Sequence, residues 1–190
     1  MFIDFLPLLL INMSAGLFVL AGYASGFPVK EQERSWGAAF LAVGLVAFIG
    51  GWNITMAWPL PGSYNISFGE MSVLFGTLYL VAAVAIASGQ SLLPLGIYAA
   101  LAGITAMVVG WRIVNLNLTQ APLMTAGGFI LTGFAGAFMF PTLLFRKQRS
   151  WKIIFVVLLI AGALFWAYSG FMSYWFHLDS FSKWKPVLMR

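Results

Sequence analysis

The chain of 190 residues is 62% hydrophobic and 8% charged, with a net charge of +5 and a mean hydropathy of +0.94. A water-soluble domain carries about 25% charged residues, so that class is excluded, and six long apolar stretches leave no room for a soluble catalytic domain. The absence of cysteine excludes disulfides, thiolate zinc sites, iron–sulfur clusters and c-type haem, and a lone histidine, His177, supplies no ligand set, so neither a cofactor nor a metal site is expected.

Hydropathy predicts an all-α polytopic membrane protein with six transmembrane helices, over about 3–27, 35–58, 69–88, 92–114, 123–145 and 152–175. The first span is too long for the core of a signal peptide, carries Asp4 where a basic segment would stand, and shows no small-residue cleavage site before Pro28, so it is kept as a helix. The connections run from Lys30 to Arg34, Pro59 to Phe68, Gly89 to Ser91, Asn115 to Pro122 and Arg146 to Ser150. No linker divides the chain, which is expected to be one integral membrane domain over residues 1–190.

The basic residues predict orientation. Lys30, Arg34, Arg146, Lys147, Arg149 and Lys152 fall on one side of the predicted membrane, and Arg112, Lys183, Lys185 and Arg190 on the other. The dense Arg146–Arg149 cluster places the first group in the cytoplasm of a prokaryotic cell and both termini outside. Trp52, Trp58, Trp111 and Trp175 would then anchor the outer interface. This distribution is that of membrane topology, and nucleic acid is not an expected partner.

A shift of 59 residues superimposes Gly37 on Gly96, Gly44 on Gly103, Ala47 on Ala106, Gly51-Trp52 on Gly110-Trp111, Ile54 on Ile113, Gly69 on Gly128 and Phe75 on Phe134. The shift spans two helices and so preserves direction across the bilayer. Six helices become three pseudo-repeated hairpins, with the first, third and fifth equivalent and the second, fourth and sixth equivalent.

Candidate functional residues fall into two groups. Phe75 and Tyr79 of the third helix correspond to Phe134 and Phe138 of the fifth, each pair sharing a helix face at i, i+4 spacing among glycines that permit close backbone approach. Facing a common axis they would form a narrow aromatic slot, to which Ala15 and Val19 of the first helix would contribute at the same level; packing against neighbours or lipid is the alternative. The polar group is Glu70, Arg112, Asn53 and Asn115, all at one end of the predicted helices, with Asn117 and Tyr64-Asn65 close by in sequence. A Glu70–Arg112 pair would tie two connections together, or the two could serve a solute vestibule or proton transfer. At about 100° per residue Glu70 lies far around the helix from both Phe75 and Tyr79, so it is expected to face a neighbouring helix. The asparagines could bind solute or satisfy backbone at turns and helix ends. His177 with Asp179 could sense pH or simply sit at the interface. No nucleophile–base arrangement, carboxylate pair or phosphate-binding glycine loop is present, so an enzyme is not expected.

The run from Phe68 to Ala83, with its core Leu74-Phe75-Gly76 followed by Tyr79-Leu80, resembles the third-helix signature of the amide and urea channel family of the AmiS/UreI type. The stretch from Trp52 to Gly76 also resembles a family of small six-helix prokaryotic membrane proteins of unknown function. The channel resemblance implies that Phe75 and Tyr79 line a pore constriction, with Phe134 and Phe138 at positions where that family usually has Trp. It further implies a homo-oligomer in which each protomer holds its own pore. A passive channel for small neutral polar solutes, urea or short-chain amides, is the resulting expectation. An aromatic slot suits that cargo, because a planar amide can slide between ring faces whereas an ion would lose its hydration without replacement. The other expectations are a small accessory or assembly subunit of a membrane complex, and a proton-coupled carrier or intramembrane enzyme using Glu70, Arg112 and His177.

Overall fold

The computed structural model describes residues 5–27 and 30–185. The expected start of the first span at residue 3, Asp4, Pro28 and Arg190 lie outside the described residues, as do the side chains of Lys30, Glu31 and Glu33. Six long helices follow one another: α1 (Leu6–Ser25), α2 (Trp36–Ala57), α3 (Met71–Ala87), α4 (Leu93–Leu116), α5 (Pro122–Leu144) and α6 (Arg149–Ser180). A short 3-10 helix (Lys30–Ser35) leads into α2, a π-helix (Asn65–Glu70) leads into α3, and no strand occurs among the described residues. All six, the third together with its π-helix, are long and apolar enough to cross a membrane.

Local chemistry sets where these helices begin and end. Proline occupies the first turn of α1, α4 and α5, where its missing N–H leaves nothing unsatisfied. Gly26 closes α1 in the left-handed conformation at φ 87°, its N–H reaching back to the Gly22 and Tyr23 carbonyls. Asn117 does the same for α4 at φ 50°, as suits an asparagine. Two boundaries differ from the expected ones. The π-helix extends the third span back to Asn65, because the Pro-Gly turn before it ends sooner than its composition suggests. The sixth helix runs through His177 and Asp179 for 32 residues, about 48 Å at 1.5 Å per residue, and so overshoots a hydrocarbon core of about 30 Å.

The helices form a ring in chain order, with α6 closing on α1. Three interfaces are extensive, α2 with α3, α4 with α5, and α6 with α1; the three between them are narrower, α3 with α4 most of all. Glycines explain the first two. A Cβ on Gly103 would lie 2.4 Å from the Gly133 carbonyl, and one on the repeat-equivalent Gly44 would lie 2.8 Å from the Leu80 nitrogen, so in both pairs backbone approaches backbone. The expected hairpins, α1 with α2, α3 with α4 and α5 with α6, are thus the narrower interfaces, and close packing instead joins each even-numbered helix to the odd-numbered helix after it, with α6 pairing with α1. In that pair a Cβ on Gly170 would lie 2.7 Å from Ile11 Cδ1 and 3.2 Å from the Ile11 nitrogen, and the Ser14 hydroxyl donates to the Ala163 carbonyl at 2.8 Å. Asn12 Nδ2 donates to the Val43 carbonyl at 3.0 Å and ties α1 to α2.

Candidate functional site: a central apolar lumen

The ring encloses a cavity of about 90 Å³ to which all six helices contribute. Its aromatic wall consists of Phe40, Phe75, Tyr79, Phe129, Phe155 and Trp166, with Leu, Met and the small residues Ala99, Ala102, Gly103 and Ala106 completing it. Along α3 the lining runs from Met71 to Ala82, about 16 Å at the helical rise, so the cavity is elongated along the bundle axis.

Two aromatic clusters stand at different heights. Toward the end carrying Arg146–Lys152, Tyr79 lies 4.4 Å from Phe75 and stacks on Phe40 at 5.3 Å, and Phe40 meets Tyr23 edge-on at 5.6 Å. Gly16 makes this possible: a Cβ there would lie 2.7 Å from Phe75 Cζ and 3.2 Å from Tyr79 Cζ. Toward the opposite end, Phe129 meets Trp166 edge-on at 5.3 Å and Phe68 at 5.7 Å, and the Trp166 indole N–H donates to Thr132 Oγ1 at 2.8 Å. Beyond this second cluster lies a smaller cavity of about 20 Å³, with Ser67 and Ser72 in its wall.

The lumen is almost wholly apolar, and its polar groups are few. Thr132 is engaged by Trp166. The Tyr79 hydroxyl is buried and has no hydrogen-bond partner among the described residues. An unpartnered buried hydroxyl costs about 1–3 kcal/mol of desolvation, a cost that a hydrogen-bonding guest would relieve.

The residues expected from sequence are distributed unevenly around this lumen. Phe75 and Tyr79 line it. Phe134 does not meet them: it is 43% exposed on the outer surface of α5. Phe138 is half-buried and packs on Trp151 at 5.5 Å. Ala15 is exposed and Val19 half-buried at the edge of the core, while their neighbours Gly16, Leu17 and Leu20 face inward. Glu70, Arg112, Asn53 and Asn115 are all exposed, none lines either cavity, and no ion pair joins Glu70 to Arg112 among the described residues. Asn65 is fully buried and structural: its Oδ1 accepts from the Leu60 N–H at 2.9 Å, and its Nδ2 donates to the Leu60 and Gly62 carbonyls. His177 meets Phe181 edge-on at 5.6 Å near the end of α6.

Sequence reasoning passed over Phe40, Phe129, Thr132 and Trp166. None lies on a repeated identity or in the run from Phe68 to Ala83. The one available signal was Trp166, an indole well inside a span, where its N–H needs a partner.

A closed ring of six apolar helices around an axial lumen defines a polytopic integral membrane protein. The chain belongs to the family described as protein of unknown function (DUF981), whose model matches residues 1–180. No curated protein and no solved structure matches it.

Proposed function

We propose that this protein is a passive channel for small neutral polar solutes of the urea or short-chain amide kind, conducting through the central lumen. The observation that carries this reading is an apolar lumen that every helix lines, with Tyr79, whose buried hydroxyl has no hydrogen-bond partner among the described residues, in its wall. A planar amide passing Phe75 and Tyr79 keeps ring faces beside it, and the hydroxyls of Tyr79 and Thr132 are the few hydrogen-bonding side chains of an otherwise apolar wall. Inorganic ions are rejected because no charged or carbonyl ring replaces their hydration. The aromatic wall in this reading is Phe40, Phe75, Tyr79 and Phe155 together with Phe129 and Trp166. Neither Phe134 nor Phe138 contributes to it. The basic cluster faces the cytoplasm, both termini lie outside, and a homo-oligomer with one lumen per protomer is the working assembly.

Swelling of proteoliposomes in urea, formamide and acetamide gradients tests the proposal. The expected result is faster swelling than empty vesicles for at least one of these solutes, with no ionic current. Rates equal to empty vesicles for all three would end it.

The separation of the lumen into two cavities supports a second reading, a small accessory subunit of a larger membrane complex. Gentle solubilisation from native membranes distinguishes the two. A channel purifies as copies of this chain alone, and an accessory subunit retains a stoichiometric partner.

A further inference from the structure

The two cavities share four wall residues, Met13, Met71, Phe129 and Trp166, and a group that lines both sides of a division is the division itself. The chamber of about 20 Å³ has room for one water-sized occupant and carries Ser67 and Ser72, whereas the larger chamber beyond is apolar. A solute moving along the axis therefore leaves a small hydroxyl-bearing vestibule and meets two thioethers and two rings.

These four side chains differ in freedom. Trp166 is held on three sides: its N–H is bonded to Thr132 Oγ1, its ring stands perpendicular to that of Phe129, and a Cβ on Gly128 would lie 2.8 Å from its Cζ2. Met13 and Met71 are unbranched and deformable. Phe129 stands between the fixed indole and Phe68, and Phe68 is carried by the π-helix Asn65–Glu70, a rare turn that recurs at functional sites.

We infer that Phe129, braced by Trp166 and Thr132, is the size filter of the lumen, and that it sets which neutral solutes pass. The inference rests on the channel reading and adds to it the residues that determine specificity. Phe75 and Tyr79 lie deeper and act on a solute already admitted. Thr132 is a positioning residue that acts through the indole.

Two measurements test this. In swelling assays with formamide, acetamide and butyramide, wild-type protein is expected to pass the smaller amides and retard butyramide. Phe129→Ala is expected to raise butyramide permeation about tenfold relative to formamide, the change a single misfitting methylene makes in a tight apolar pocket. Phe129→Leu, which keeps more of the side chain, falls between the two and serves if the alanine variant does not fold. Thr132→Val, which lacks the acceptor, shifts the cutoff in the same direction, and Thr132→Ser restores it. The second measurement uses the cysteine-free background. Ala135→Cys places one thiol on the wall of the larger chamber, and its labelling by methyl methanethiosulfonate in nanodiscs is expected to speed up several-fold when combined with Phe129→Ala. Wild-type permeation with an unchanged cutoff and unchanged labelling in Phe129→Ala would overturn the filter alone. Wild-type swelling at the rate of empty vesicles for every solute would overturn the channel reading and the filter with it.

Discussion

Tyr79 stacks on Phe40 at 5.3 Å with their ring planes 25° apart, a contact between α3 and α2 that fixes the tyrosine ring while leaving its hydroxyl without a hydrogen-bond partner among the described residues. The ring is therefore positioned by dispersion and shape, and its polar atom contributes nothing favourable to the folded state.

Tyr79→Phe is expected to leave the fold as stable as wild type or to stabilise it by up to about 1 kcal/mol, since it removes an unsatisfied buried group and keeps the stack. Permeation of acetamide falls in the same variant. Thermal unfolding in detergent and liposome swelling measure the two effects separately, and a destabilisation above about 1 kcal/mol would mean that the hydroxyl has a partner.

Gly103→Ala is expected to cost about 2 kcal/mol or more, because its Cβ would stand 2.4 Å from the Gly133 carbonyl and 2.7 Å from the Ala137 nitrogen, and α4 and α5 must separate to admit it. Gly162→Ala serves as the contrast. Its Cβ would meet the flexible Leu17 Cδ1 at 3.3 Å and only ordinary van der Waals contacts beyond it, Thr132 Oγ1 at 3.6 Å and Leu131 Cβ at 3.8 Å, and its unfolding midpoint should move little. Equal effects of the two substitutions would contradict backbone contact as the basis of the α4–α5 interface.

Glu70→Gln and Arg112→Gln are expected to be independent of each other, since both side chains are exposed and no ion pair joins them among the described residues. The stability of the double variant should equal the sum of the single changes. Transport by each single variant should follow that of wild type across pH. A loss of activity in Glu70→Gln would instead favour the proton-coupled carrier.

Six spans were legible from hydropathy because a bilayer-crossing helix must be about 20 apolar residues long, whatever it packs against. The 59-residue repeat was legible because close-packed interfaces tolerate only glycine, and Gly44 and Gly103 sit at equivalent contacts in α2–α3 and α4–α5. The azimuth of each helix was not legible. In lipid a helix is apolar all round, so a phenylalanine facing the lumen and one facing the bilayer carry the same hydropathy signal. Phe134 shows the consequence: the repeat relates it to Phe75, but it points outward while Phe129, five residues earlier, faces in. On α1 the inward position at the Phe75–Tyr79 level is Gly16, one residue from Ala15, because no repeated identity anchors the register of the first helix. The polar residues near the helix ends stood out by contrast with their surroundings, yet Asn65 secures a turn and Glu70 remains at the surface.

The pairing of α6 with α1 has a consequence for biosynthesis. A chain made from its N-terminus inserts α1 first, with the Ser14 hydroxyl already within the hydrocarbon, while the Ala163 carbonyl that accepts its hydrogen bond is still 149 residues away from translation. Without α6 the other five helices would leave the ring open between α5 and α1. Arrival of the last helix closes that opening against the first, so the axial cavity comes into being only when α6 has been inserted.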